Sequence, residues 1–113
     1  DCIDFSYGEY KILYSSLKYC GDKAVSVGEK SIANFDNINL QNAKTGVASK
    51  DSSNVMIDNS IISSVENCFA SYRKKQEFDG GFIRVNKSNC KNFSKNYFLD
   101  KHSKIEISNQ EDS

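Results

Sequence analysis

A chain of 113 residues has room for one domain with a modest core, and its fifteen basic and fifteen acidic residues leave no net charge. That balance excludes a global field able to draw the chain onto nucleic acid or an anionic membrane, and no run approaches the roughly 18 apolar residues of a membrane-spanning helix. Asn, Ser and Lys are abundant, but seven Phe and six Tyr argue against disorder.

Taken in chain order, short apolar phrases return at a fixed interval. Ile3-Asp4-Phe5-Ser6 opens a first unit and Tyr14-Ser15-Ser16-Leu17-Lys18-Tyr19 completes it. Val25-Ser26-Val27-Gly28 and Phe35-Asp36-Asn37-Ile38-Asn39-Leu40 form a second, and Val47-Ala48-Ser49-Lys50 with Ile57-Asp58-Asn59-Ser60-Ile61-Ile62 a third. Phe69-Ala70-Ser71-Tyr72 and Val85-Asn86-Lys87-Ser88-Asn89-Cys90 make the fourth, and Phe98-Leu99-Asp100-Lys101 opens the fifth. The opening residues are 22, 22, 22 and 29 apart, and the second set is spaced 21, 22 and 28, so the extra residues of the fourth unit fall within 72–81.

A period near 22 suits a leucine-rich repeat or a β-helix. Leu is scarce, no stretch carries a 3.6-residue stripe, and the phrases alternate with period two between Asn, Asp, Ser and Gly turns. The pattern predicts an all-β fold: a right-handed parallel β-helix of about five coils with a 22-residue repeat. Pro is absent, as expected where nearly every strand is paired on both sides. Stacking places Val25, Val47 and Phe69 in one inward file and Phe35, Ile57 and Val85 in another. Asp36, Asp58 and Asn86 then share a corner, with Asn37 above Asn59 as an amide ladder.

Four cysteines in a small chain usually suggest disulfides. In this register, however, Cys2 and Cys68 lie three coils apart, roughly 14 Å by the strand spacing and beyond the reach of about 7 Å between Cα atoms. Cys20 and Cys90 are about three coils apart as well, and Cys68 and Cys90 fall on different sides of one coil. The expectation is four reduced thiols acting as small core residues. No C-x₂-C pair marks a zinc site, His102 is the only histidine, and no cofactor is expected.

Two places carry candidate chemistry. Glu29 and Asp51 fall in one file on adjacent coils with Arg73 next and His102 beyond; the two acids are the candidate metal ligands, set against an outward charge ladder in water. The insertion 72–81 breaks the repeat, and insertions in repeat arrays usually map to a binding face. Tyr72, Arg73, Lys74, Lys75, Glu77 and Phe78 are its candidate ligand-binding residues, since aromatic faces stack on sugar rings and cations pair with uronate or sulfate groups. The same aromatics would equally fold the loop back over the solenoid.

The phrases Asp22-Lys23-Ala24-Val25-Ser26-Val27-Gly28, Ile57-Asp58-Asn59-Ser60-Ile61-Ile62 and Tyr72-Arg73-Lys74-Lys75-Gln76-Glu77-Phe78 resemble bacterial right-handed parallel β-helix repeat proteins of the pectate-lyase-like superfamily. The resemblance covers nearly the whole chain and implies binding or processing of an acidic polysaccharide, and an extracellular or cell-envelope location, with free thiols leaving the cytoplasm open. It also implies that residues 1–113 are a C-terminal portion of a longer solenoid, partnered by upstream coils and ending in a polar tail at 108–113. The alternative is a structural or adhesive solenoid without catalysis. Nucleic acid and membrane are not expected partners, because the basic residues are scattered.

Overall fold

The computed structural model describes residues 1–108, so most of the expected polar tail lies outside the described residues. Its secondary structure is entirely β: β1 (Ile3–Ser6), β2 (Glu9–Gly28), β3 (Ile32–Lys50), β4 (Asn54–Asp58), β5 (Ile61–Tyr72), β6 (Phe82–Asn86), β7 (Asn89–Leu99) and β8 (Lys104–Ser108). Every pairing is parallel, and the chain is a β-solenoid of about five coils.

Each coil has three straight runs separated by three corners. Corners need a left-handed residue to turn the chain without breaking the ladder, and Asn, Asp and Ser tolerate that conformation best among residues with a side chain. One corner carries Tyr14, Asn37, Asn59 and Lys87, all at positive φ, and a second carries Tyr19, Asn42, Ser64 and Asn92. The third carries Tyr7, then Glu29 and Lys30, then Asp51 and Ser52.

The expected inward files are present. Val25 pairs with Val47 and Val47 with Phe69, and all three are buried. Phe35, Ile57 and Val85 form the facing file and are equally buried. Burying one such side chain contributes roughly 1.5–3 kcal/mol, so a chain of low apolar content can still close a continuous core when the apolar residues stack.

Two assignments at the ends are corrected. Tyr97, not Phe98, lies beneath Phe69, and a slip of one residue sends Phe98 to the outer face, where its ring meets Tyr72 edge-on at 6.1 Å. At the other end Ile12, not Tyr14, stacks on Phe35, and Tyr14 stands at the corner, 79% exposed. The true steps of the first file are therefore 22, 22, 22 and 28.

The corner ladder is made differently from a stack of amides. Asp36, Asp58 and Asn86 are in register, but Asn59 donates to Asp36 Oδ1 at 3.0 Å, and Asn86 to Asp58 Oδ1 at 3.1 Å. Each amide thus donates to an acid of the coil before it. Just inside, Ser60 Oγ accepts the Ile38 N–H and donates to the Asp58 carbonyl, and Ser88 Oγ repeats this one coil on. Each buried hydroxyl therefore serves as donor and acceptor, as its burial demands.

The expectation of four reduced thiols is overturned. Cys2 is bonded to Cys20 and Cys68 to Cys90, with Cα–Cα distances of 5.2 and 6.3 Å, and no cysteine is free. Cys68 and Cys90 do lie on different sides of one coil, but the coil is narrow there. Gly46 precedes Cys68 by one repeat, and a Cβ at Gly46 would come within 2.8 Å of Ile62 Cγ2 on the opposite run. The bridge spans the same gap one coil lower, since Ile62 pairs with Cys90.

Candidate functional site

The insertion emerges from the third corner. In the coil above, Lys50 and Asn54 bracket that corner, while their ladder partners Tyr72 and Phe82 bracket the longer segment. Gly81 packs tightly against the previous coil, since a Cβ there would collide with the Ser49 carbonyl. Ser49 Oγ meanwhile lies 2.6 Å from Ser53 Oγ, so the inner side of this corner is closed by hydroxyls.

The two acids converge on the loop rather than on each other. Asp51 is 1% exposed, and its Oδ1 accepts the backbone N–H groups of Lys74 at 2.7 Å and Lys75 at 2.8 Å, while its Oδ2 has no hydrogen-bond partner. Glu29 lies outside it, its Oε2 receiving Lys75 Nζ at 2.7 Å and its Oε1 the Ser6 hydroxyl at 3.0 Å. The Lys75 hydrogen bond, followed by that from Ser6, holds the Glu29 carboxyl below its ordinary value, and the same contact raises Lys75. Lys75 is about half in solvent, so the pair contributes little by itself.

The other loop residues are also held. Tyr72 is half-buried against Phe98, and burial pushes its phenol up. Arg73 N–H donates to Asp100 Oδ2 at 2.8 Å. Burial would raise the Asp100 carboxyl, but the Arg73 amide, the Ser103 hydroxyl and the His102 amide together outweigh it and lower the group. Phe78 packs against Tyr7, with ring centroids 6.5 Å apart. Lys74 and Glu77 point to solvent. Asp51 and Arg73 follow the paired residues Lys50 and Tyr72 on adjacent coils, and it is the Lys74 and Lys75 amides that reach the Asp51 carboxylate. Among the described residues no three His, Cys, Asp or Glu side chains gather in a metal-binding arrangement.

Lys50 adds an electrostatic feature. Burial lowers its ammonium, and the nearby Lys74 and Lys23 push the same way. A separate shallow hollow of about 210 Å³, lined by Lys44, Glu66, Asn67, Ser94 and Lys95, lies on the run that carries Thr45 and Asn67 and is not continuous with the loop residues named above.

Sequence reasoning located the loop by its break in period but missed Asp100, Ser103 and Tyr7 as its supports. Asp100 carried a signal: an acid two residues before His102 and three before Ser103 has the spacing of a turn in which the carboxylate accepts the His102 N–H and the Asp100 carbonyl the Ser103 N–H. Tyr7 carried none.

Replacing Asp51 by Ala is expected to free the Lys74 and Lys75 amides, raising their hydrogen-exchange rates by about ten-fold or more and lowering global stability by about 2 kcal/mol. Asp51→Asn, which keeps one acceptor oxygen, should retain most of the protection. Exchange mass spectrometry over peptides covering 72–81 reads both.

No protein-family model, curated protein or solved structure matches the chain.

Proposed function

We propose that this chain is a structural or adhesive β-solenoid module rather than a catalytic one. The supporting observation is the use made of its two best-placed acids: Asp51 and Glu29 are both committed to fastening the insertion, the first through two loop amides and the second through Lys75. An acid pair used in this way serves the loop's conformation, and only Asp51 Oδ2 is left without a hydrogen-bond partner. The disulfides support maturation in an oxidising compartment such as the cell envelope or exterior, in keeping with the resemblance to pectate-lyase-like repeat proteins.

A second reading is favoured by one observation. Tyr7 is 65% exposed beside Phe78, and the solvent-facing Lys74 lies on the same loop, a composition suited to stacking and pairing with an acidic polysaccharide. Limited trypsin digestion separates the two readings, because the loop offers Arg73, Lys74 and Lys75 in succession. The structural reading expects these bonds to survive under native conditions, with no unsaturated product from polygalacturonate or alginate. Rapid cleavage that either polymer suppresses would favour the glycan reading, and turnover of either polymer would overturn the structural one.

A further inference from the structure

We infer that Asn92 is an acceptor for an N-linked glycan and that Asn86, the other asparagine in the same sequence context, is not. The chain holds two Asn-x-Ser/Thr motifs, Asn86-Lys87-Ser88 and Asn92-Phe93-Ser94, neither with Pro at the middle position. Glycan transfer to such motifs takes place in the endoplasmic reticulum lumen, one of the oxidising compartments in which disulfides like the two here form. The inference is independent of whether the module is structural or binds a polysaccharide.

A transferase holds the asparagine amide and the hydroxyl two residues on together, so both side chains must be reachable from one side. Asn92 stands at the second corner, exposed and at a φ of 54°. Phe93 follows on the file of Ala43 and Val65, which faces the core, and Ser94 returns to the outer face beside Lys44 and Glu66. Amide and hydroxyl thus flank one inward residue, and among the described residues no hydrogen bond holds either side chain. Their exposure does not depend on the place of this coil in the stack. Lys44 and Glu66 are exposed with coils on both sides of them, and Asn42 and Ser64, which hold the same corner on the two preceding coils, keep part of their surface in solvent.

The other motif differs at each point. Asn86 Nδ2, the atom that would carry the sugar, donates to Asp58 Oδ1 at 3.1 Å. Ser88 is 2% exposed, and its Oγ accepts the Ser60 N–H and donates to the Asn86 carbonyl, both at 3.0 Å. The left-handed Lys87 between them leaves Asn86 on the outer ladder and turns Ser88 inside. A glycan placed on Asn86 of the nascent chain would stand in the Asp58 contact, so the folded product carries its glycan on Asn92.

The co-substrate is an oligosaccharide carried on a polyisoprenyl diphosphate. Asn92 Nδ2 attacks its anomeric carbon, the new C–N bond replaces the C–O bond, and the diphosphate leaves with the electron pair. Nδ2 gives up one of its two protons to a base of the transferase, and nothing is oxidised or reduced.

Directing the chain through the secretory pathway of yeast and recovering the folded, disulfide-bonded product tests this. Intact mass spectrometry is expected to show one glycan that peptide-N-glycosidase removes. Release in heavy-oxygen water should convert Asn92 to labelled Asp in the peptide map and leave Asn86 unlabelled. Asn92→Gln and Ser94→Ala should each lose the glycan. The second variant keeps the left-handed corner residue, and circular dichroism confirms that it folds. A folded product without glycan, label at Asn86, or a glycan that survives in Ser94→Ala overturns the inference.

Discussion

Loss of the Cys68–Cys90 bridge is expected to lower the stability of this solenoid by about 3 kcal/mol, the chain-entropy value for a loop of this size. The bridge closes 22 residues, including the whole insertion, so the unfolded chain without it gains the freedom of its most irregular segment. Its site is also closely packed, with Cys68 fully buried and Cys90 nearly so. A Cys68→Ala, Cys90→Ala variant leaves two small apolar side chains there and avoids buried thiols, so the measured change reflects the cross-link. Urea titration should show a lower midpoint for it, and the unmodified chain should shift the same way in reductant. The Cys2–Cys20 bridge closes 18 residues on the opening coil, and its removal should matter less, because the files it supports are only half-buried. Four thiols reacting with maleimide in denaturant without reductant would contradict both bridges.

Phe69→Ala is expected to cost about 3–5 kcal/mol, a large share of the roughly 5–15 kcal/mol that holds a domain of this size together. Phe69 is 1% exposed, with Val47 above and Tyr97 below, and coils on both sides prevent the cavity from collapsing. Tyr97 belongs to the same file but is 52% exposed at the end of the stack, so Tyr97→Ala should cost about 1 kcal/mol or less. The contrast between two aromatic truncations one coil apart, read from matched denaturant curves, reports position along the solenoid rather than chemistry. Equal losses would mean that position along the solenoid does not set the cost of truncation.

The repeat was legible because its markers are redundant. Asp36, Asp58 and Asn86 stand at a corner immediately after the file of Phe35, Ile57 and Val85, so apolar and turn residues fix the same register twice. Where one marker was missing, the reading slipped. The opening coil has Tyr14 at the left-handed position that Asn37 and Asn59 occupy elsewhere, and an aromatic suggests the core more strongly than a corner. After the insertion Tyr97 and Phe98 are adjacent and both aromatic, and hydrophobicity cannot tell which of them faces inward. The loop was visible as an interruption, but Asp51 as its anchor was not. Its partners are backbone amides, which leave no trace in residue type.

By itself the sequence determined what lies above what: a parallel solenoid with a 22-residue step, its two inward files and the place where the step lengthens. Contacts along the axis follow from a period, and a period is written in the spacing of residues. Contacts across the axis depend on how far apart the runs of one coil stand, which the corner dihedrals and small residues such as Gly46 decide together. Only the tertiary structure could therefore show that the thiols meet in pairs, that the two acids fasten the loop, and that Tyr7, Tyr14 and Tyr19 stand at the corners of the opening coil.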